Sequence, residues 1–394
     1  MRSTQHTDWK RLPFPRDEYE RRVSALRSGM KEKGLDGLII CGAPKRSGYV
    51  RYIANFESYI GTTLVVIPLS GAPVLITDSH FRQEPMQAGI WMTWIDEVRW
   101  APHSSLYILN PIELIGELKD ALQRLGLSDG GMGFVGEERL YPALHEGLRS
   151  LISRERWKDG SALFHEVASR KSSAEIDLFH RFGKMMDVAI DEFLLAIKPG
   201  ITESELFGVI MGSLFRQGVQ NFFGTVPPVL VSGDRARLKS VPPSLRKIEA
   251  GDPVFFDLEP ELEGYYLDIA RSVAVGKPSD PIRRIIEASQ EIEQAVFESI
   301  KPGVSMRLLQ EVAFRAARKT GLGKFYYFKF HGQGTMRPAY PFPSQLDFVL
   351  DTGMVFTIES IIVDPELTTG TIENAYLVTK DGAERLVKGA LRPK

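Results

Sequence analysis

The sequence of 394 residues is poor in cysteine and has no long apolar run. Cys41 is the single cysteine, so no disulfide can form within the chain, and we expect a cytoplasmic protein. The longest apolar runs, such as TTLVVIPL at 62–69, fall far short of the roughly 20 residues that cross a membrane. The polar N-terminal segment is not typical of a signal peptide. A soluble protein without a membrane partner is therefore expected.

The chain also lacks a charge excess of either sign, with 49 basic and 50 acidic residues. Proteins that bind nucleic acid or anionic membranes usually carry a clear basic excess, so neither is expected as a partner. The length exceeds that of one ordinary domain and suits two.

Residues 1–165 mix helical and strand patterns. Residues 17–33 have helical periodicity that stops at Gly34. The other predicted elements are strands at 38–41, 63–68, 73–78 and 133–136 and helices at 112–126 and 141–151. This mixture predicts an α/β N-terminal domain.

A Lys-Pro-Gly sequence occurs twice in the rest of the chain. Lys198 and Lys301 begin the two copies, which lie 103 positions apart (301 − 198). Each copy stands between two helical patterns, and the second helices stop at Gly218 and Gly321, again 103 apart (321 − 218). The repeat predicts an internal duplication of a helix-helix-sheet unit. We therefore expect a duplicated α+β domain over residues 166–394.

Four acidic residues lie on two predicted hairpins, one in each half of this domain. A turn at 260–264 between two strands would place Asp257 and Asp268 nearly opposite each other on one face. Glu359 and Glu373 would be cross-strand neighbours in the second hairpin. Facing carboxylates repel, and burial would protonate them, whereas a pair of divalent cations removes the repulsion. The alternative is four solvent-exposed acids on edge strands, against which the apolar neighbours argue.

These residues resemble the pita-bread metallopeptidases, which include methionine aminopeptidase, aminopeptidase P, prolidase and creatinase. Asp257 and Asp268 match the family's two aspartates eleven positions apart, and His331 begins a His-Gly-x-Gly sequence. Glu359 ends the stretch Gly-Met-Val-Phe-Thr-Ile-Glu, and Glu373 stands in Ile-Glu-Asn. The first 165 residues resemble the creatinase-type N-terminal domain.

The resemblance implies a pair of divalent metal ions, with manganese expected first and iron, cobalt or zinc as alternatives. Asp268 and Glu373 would bridge both ions, Asp257 would hold one, and His331 and Glu359 the other. A metal-bridged hydroxide would attack the substrate, with Glu359 as the catalytic residue that carries the proton. The family also implies a homodimer and a small-molecule or dipeptide substrate.

Two histidines that surround the substrate in peptidase members have no match in this chain. Pro338 stands about where one is expected, and the segment from Ser232 to Lys239 contains no second one. Losing one such donor typically raises the barrier by about 3 kcal/mol. We therefore expect slow cleavage of ordinary Xaa-Pro substrates, unless Arg337, Tyr340 or Lys239 substitutes.

Arg337 and Tyr340 are the predicted substrate contacts. Arg337 can bind a carboxylate bidentately, although an arginine in such a loop often serves as a structural ion-pair partner. Glu259 is two residues after Asp257 and so lies on the same face. It is a candidate for an extra ligand or a proton acceptor, and the alternative is a solvated acid. His80 and His103 are candidates for side chains that a second subunit contributes to the active site. The alternative is that both are surface histidines.

Three functions are compatible with these features. The predicted one is a dinuclear metal-dependent hydrolase that resembles Xaa-Pro dipeptidase or aminopeptidase P and acts on a small amide or dipeptide-like substrate. The second is a non-peptidase enzyme of the same fold, either a creatinase-like amidinohydrolase or a lyase of the dimethylsulfoniopropionate type. The third is a non-catalytic peptide-binding module, against which the five retained ligands argue. Arg337 stands where the lyase has an acidic base, so the lyase has no direct support.

Overall fold

The computed structural model describes residues 12–43, 46–57, 61–79, 93–102, 111–220, 229–337 and 339–390. His80, His103 and Pro338 lie outside these residues. The chain divides into two compact units, Met1–Ala168 and Ser169–Lys394. Within the described part of the chain, we find no helix with the length and apolar character that a membrane crossing requires.

The first unit is built on a mixed six-stranded sheet. Its strands are β1 (Gly37–Gly42), β2 (Thr63–Pro68), β3 (Val74–Ser79), β4 (Glu97–Pro102), β5 (Met132–Val135) and β6 (Trp157–Asp159), in the order β4-β3-β2-β1-β5-β6. β2 is antiparallel to β1 and β3, and the other neighbouring strands are parallel. The predicted α/β architecture is confirmed.

Five helices are described in or at the end of this unit. They are α1 (Arg16–Lys33), α2 (Gly48–Ala54), α3 (Pro111–Arg124), α4 (Pro142–Leu151) and α5 (Ser161–Ser169). α1 stops where predicted because Gly34 takes a left-handed conformation, with φ at 60°, that glycine tolerates without a steric penalty. Apolar side chains of α3 and α4, such as Leu118 and Leu148, pack on the sheet with Ile39 and Leu64.

The second unit contains two pairs of helices, α6 (Ser173–Ala196) with α7 (Glu203–Arg216) and α8 (Asp280–Phe297) with α9 (Met306–Lys319). α7 and α9 begin 103 positions apart (306 − 203) and also end 103 apart (319 − 216). A hydroxyl residue caps each helix, Thr202 in one case and Ser305 in the other. The same two residues form isolated bridges to Lys247 and Val349. The structure therefore repeats the unit that the two Lys-Pro-Gly sequences predict.

The sheet of the second unit shows the same two-fold repetition. Its strands are β7 (Val229–Ser232), β8 (Pro253–Leu258), β11 (Ile269–Ala274), β12 (Tyr326–Gly332), β13 (Val355–Val363), β14 (Thr369–Val378) and β15 (Ala383–Arg385). The order is β12-β13-β14-β11-β8-β7, with β15 paired to β14 and every pairing antiparallel. Each half contributes three strands to this order, the second half adds β15 as the seventh, and the central pair β14–β11 joins the halves.

The connection after β8 is more structured than the predicted simple turn. Residues 260–264 contain β9 (Glu261–Leu262), which pairs with β10 (Tyr265–Tyr266) in a short separate ribbon. Glu263 and Gly264 form its tip, and both have positive φ, 52° and 81°. Two consecutive positive-φ residues are typical of a two-residue hairpin turn. The predicted single return strand is therefore split into β10 and β11.

Helices α8 and α9 cover one face of the second half of the sheet. Their apolar side chains pack with Phe356, Ile358 and Tyr376 in one buried cluster. Because side chains alternate along a strand, Glu359 and Glu373 project from the opposite face. The acidic side chains therefore lie on the face that these helices do not cover.

Candidate metal centre

Three of the predicted ligands lie in one row across the sheet. Glu359 on β13 pairs with Glu373 on β14, as the hairpin pattern predicts. Glu373 pairs in turn with Ala270 on β11, and Ala270 pairs with Asp257 on β8. Residues that pair directly across strands share a face, so the three carboxylates project from the same side.

Asp268 and His331 complete the group from neighbouring positions. Asp268 stands just before β11, two residues from Ala270, and so on the same face but diagonal to Asp257 rather than directly opposite. His331 on β12 pairs with Thr357, two residues before Glu359. Its Nε2 lies 3.2 Å from Asp268 Oδ2 and 3.6 Å from Glu373 Oε1.

The donor atoms of Asp268, His331 and Glu373 all lie within 4.8 Å of one another. Asp268 and Glu373 are 5 % and 1 % exposed. Among the described residues, Asp268 Oδ1 and Glu373 Oε1 have no hydrogen-bond partner. Leaving a buried oxygen unsatisfied is costly, and a cation would satisfy both. Several carboxylates with one imidazole are ligands that divalent metal ions accept, so the residues present fit such ions.

The electrostatics of the site point the same way. Burial raises the pKa of Asp257 to about 8, and the negative charge of Glu373 adds to this effect. Burial likewise raises the pKa of Asp268 to about 7 and that of Glu373 to about 8. Burial opposes protonation of His331, but the hydrogen bond to Asp268 and the negative charges of Asp268 and Glu373 outweigh it and raise its pKa well above 6.5. These three carboxyl groups therefore bind protons more tightly than free carboxyl groups do, and a cation would compensate their negative charge.

Basic side chains border the carboxylates. Lys239 Nζ lies 3.6 Å from Glu359 Oε2, and Lys329 Nζ lies 4.0 Å from the same oxygen. Lys329 was not predicted to contribute, although its position two residues before His331 on β12 places both on one face. The hairpin pattern contains only acidic residues and so does not indicate this lysine.

Arg337 is engaged by two acids. It forms a salt bridge with Glu259, and its Nη2 lies 3.4 Å from Asp268 Oδ2. The structure thus favours the ion-pair alternative for Arg337. Glu259 is 9 % exposed, so it is not the solvated acid that one alternative described.

Two further residues, which are neither predicted ligands nor predicted substrate contacts, support the site. Gln333, the variable residue of the His-Gly-x-Gly sequence, accepts a hydrogen bond from the Asp268 backbone N–H at 3.3 Å. Its amide donates to the Thr357 hydroxyl on β13 at 2.5 Å. The Gln333 side chain therefore links the residue before β11 to β13. The side chain of Arg271 is buried and donates to the backbone oxygens of Glu373 and Ala270. These bonds hold the strands that carry the ligands.

The backbone of Tyr340 packs against Gly332, the residue that follows His331. A Cβ atom on Gly332 would approach the Tyr340 carbonyl oxygen to 2.0 Å, so only glycine allows this contact. The Tyr340 ring packs edge-to-face on Phe342 and Phe348, with centroids 5.8 and 5.0 Å away. By contrast, His180 binds Glu384 at 3.0 Å and takes no part in the cluster of donor atoms.

A buried set of carboxylates with one imidazole on the sheet of a duplicated α+β domain, preceded in sequence by an α/β domain, defines a two-domain metallohydrolase. Residues 177–380 match metallopeptidase family M24, and residues 22–167 match the creatinase/prolidase N-terminal domain. The chain belongs to metallopeptidase family M24. The predicted resemblance to pita-bread metallopeptidases is thereby confirmed.

Individual relatives agree with this assignment. The chain is 32 % identical over 228 residues to an Xaa-Pro dipeptidase of Lactobacillus helveticus, a match that spans 57 % of this chain and 61 % of that enzyme. It is 26 % identical over 376 residues to the Xaa-Pro dipeptidase of Pyrococcus horikoshii, spanning 94 % and 98 %. A solved Xaa-Pro dipeptidase from Bacillus anthracis matches with a TM-score of 0.77 and 26 % identity, over 95 % of this chain and 98 % of that one.

These similarities support the predicted metal-dependent hydrolase of the dipeptidase type. They give no support to the amidinohydrolase, the lyase or the non-catalytic module.

Proposed function

We propose that this protein is a dinuclear metal-dependent dipeptidase that hydrolyses the amide bond of a dipeptide-like substrate, as a cytoplasmic homodimer. Its metal-binding catalytic domain would span residues 166–394, after a creatinase-like domain over residues 1–165. The observation that carries the proposal is the convergence of Asp268, His331 and Glu373 within 4.8 Å, beside the row that contains Asp257 and Glu359.

The five ligands would be Asp257, Asp268, His331, Glu359 and Glu373, with manganese expected first. Metal ions bound there would acidify a water molecule and polarise the substrate carbonyl. The two orphaned carboxylate oxygens and the raised carboxyl pKa values support this ligand set, because both features disappear when cations bind.

Glu359 would act as the catalytic proton carrier. Its side chain is 12 % exposed, so it faces the open side of the site rather than the core. A carboxylate in this position can accept a proton from the attacking water and deliver it to the leaving amine.

Arg337 and Tyr340 would contact the substrate. Arg337 is 17 % exposed and lies beside Asp268, so a substrate above the ligand row would come within its reach. The aromatic group of Tyr340, Phe342 and Phe348 would provide an apolar wall for a side chain of the dipeptide.

The decisive experiment combines metal analysis with a dipeptide screen. Protein dialysed against manganese should hold about two ions per chain and hydrolyse dipeptides or other small amides. His331→Ala should lose metal and activity, whereas His180→Ala, which changes the other histidine of the second unit, should keep both. Well under one ion per chain, or no hydrolysis of any dipeptide or small amide, would contradict the proposal.

The same screen tests the substrate preference. Because two expected histidines have no match, Xaa-Pro dipeptides should be cleaved more slowly than the best substrate of the screen. Rapid Xaa-Pro hydrolysis would show that other groups replace the histidines. Light scattering tests the proposed homodimer, because a dimer would have twice the chain mass of 44.2 kDa.

A further inference from the structure

Lys239 lies above the face of the sheet that carries the carboxylates. Its Nζ is 5.3 Å from the centroid of the Phe255 ring and 3.6 Å from Glu359 Oε2. Phe255 and Asp257 are two residues apart on β8, so both project from the same face. The Lys239 side chain is 19 % exposed, which means that its stem is packed while its ammonium group can still meet a ligand.

The other basic groups of the site are less suited to bind a ligand anion. Arg337 is already engaged by Glu259 and Asp268. The side chain of Lys329 is 59 % exposed, so its charge is screened by solvent. In the part of the chain that the structure describes, Glu359 is the one carboxylate within 4.0 Å of Lys239 Nζ. An ammonium has three donors, so a single long contact leaves Lys239 free donors.

A dipeptide brings its own negative charge to the site. Its C-terminal carboxylate stands one residue beyond the bond that is cut, so it lies beside the ligand row, where the proposed metal ions already compensate the charges of the ligand carboxylates. A partly buried cation at the edge of the row pairs with this additional charge and fixes where the peptide ends.

We infer that Lys239 binds the C-terminal carboxylate of the substrate and so restricts this enzyme to dipeptides with a free C-terminus. The inference rests on the proposed dipeptidase function. It assigns Lys239, rather than Arg337, to the C-terminal carboxylate; Arg337, which holds Glu259 and Asp268, would contact another part of the substrate.

The test compares three variants on two pairs of probes. Lys239→Met keeps the aliphatic stem over Phe255 and removes the charge, Lys239→Arg keeps the charge, and Lys329→Met removes the other lysine beside Glu359. The probes for hydrolysis by the manganese-loaded enzyme are Ala-Pro and its C-terminal amide. The probes for calorimetric binding, which needs no turnover, are L-proline and L-prolinamide.

We expect Lys239→Met to lower kcat/KM for Ala-Pro about 10- to 100-fold, mainly through KM, as for loss of one charge-assisted hydrogen bond. Hydrolysis of the amide should stay unchanged, Lys239→Arg should recover most of the loss, and Lys329→Met should behave as wild type. Equal losses on acid and amide would overturn the inference, because Lys239 would then act on Glu359 rather than on the substrate. No loss on either would overturn it as well.

Failure of the proposed function can be told apart from failure of this inference. If wild type hydrolyses neither Ala-Pro nor other dipeptides, the proposed function fails, and the binding experiment alone decides about Lys239. Proline binding that weakens in Lys239→Met while prolinamide binding does not would still support the anchor. Proline binding that is absent, or equal in wild type and variant, would reject it.

Discussion

Asp257 should make the metal-free protein sensitive to pH, and replacing it with asparagine should remove that sensitivity. Burial is the main cause that raises its pKa from 3.8 to about 8. Because the folded state binds this proton more tightly than the unfolded state, the stability it contributes is fully present below pH 3.8 and is lost as pH rises through about 8. Asparagine has nearly the same size and cannot ionise, so Asp257→Asn avoids that loss.

The difference between the two pKa values corresponds to roughly 5 kcal/mol at pH 8. Asp257 keeps partial contact with solvent, so we expect about half of this value, about 2–3 kcal/mol. Metal-free Asp257→Asn should therefore be about 2–3 kcal/mol more stable than wild type at pH 8, and less than about 1 kcal/mol more stable at pH 5.

Urea denaturation of EDTA-treated protein between pH 5 and pH 8 measures this difference. Asp381→Asn, which changes an exposed aspartate, is the control and should show no pH-dependent difference from wild type. Saturating manganese should reverse the order, because wild type gains stability from metal binding and the variant has lost a ligand. A variant less stable than wild type in EDTA at pH 8, or a difference that does not grow with pH, would refute the reasoning.

Three further substitutions test other parts of the structure. Glu359→Gln should lower kcat by about 100-fold or more in steady-state assays, since a proton carrier is lost, and near-normal turnover would exclude that role. Gly332→Ala forces a Cβ against the Tyr340 carbonyl and should cost about 1–3 kcal/mol in thermal unfolding and weaken manganese binding. Its control, Gly208→Ala in α7, meets open space and should stabilise by about 0.5–1 kcal/mol, so equal effects of the two would contradict the packing argument. Glu203→Ala removes a fully buried carboxylate that binds two serines and an arginine, and should destabilise by about 3 kcal/mol, which a wild-type melting temperature would disprove.

Local patterns were enough to predict most elements of the first unit. The helix that ends at Gly34 and the strand at 63–68 depend on periodicity and on one glycine, which are properties of the chain itself. The edge strands β4 and β6 were not predicted, because short strands with polar residues carry no clear alternation. Their pairing partners in the sheet stabilise them instead.

The duplication was predictable for a different reason. The two Lys-Pro-Gly sequences and the two hydroxyl caps recur at one spacing, so similar local signals form similar helix pairs. The pairing of Glu359 with Glu373 also follows from the sequence, because a long hairpin with a period of two fixes which residues face each other.

The position of Asp268 could not be predicted to the same accuracy. The chain after β8 folds into its own ribbon before β11 begins, so Asp268 is diagonal to Asp257 instead of opposite. This outcome depends on two residues with positive φ at the tip of the ribbon, which a count of positions along a hairpin does not include.

The sequence by itself thus predicted that four acidic side chains share one face, because their spacing is a local property of two hairpins, and the resemblance to the pita-bread metallopeptidases added His331. Only the tertiary structure decided which charges surround them. Lys239, Lys329 and Arg337 come from separate segments, and the packing of the sheet and its loops brings them to the carboxylates. Charge compensation depends on distance in space, and one-dimensional spacing does not contain that distance.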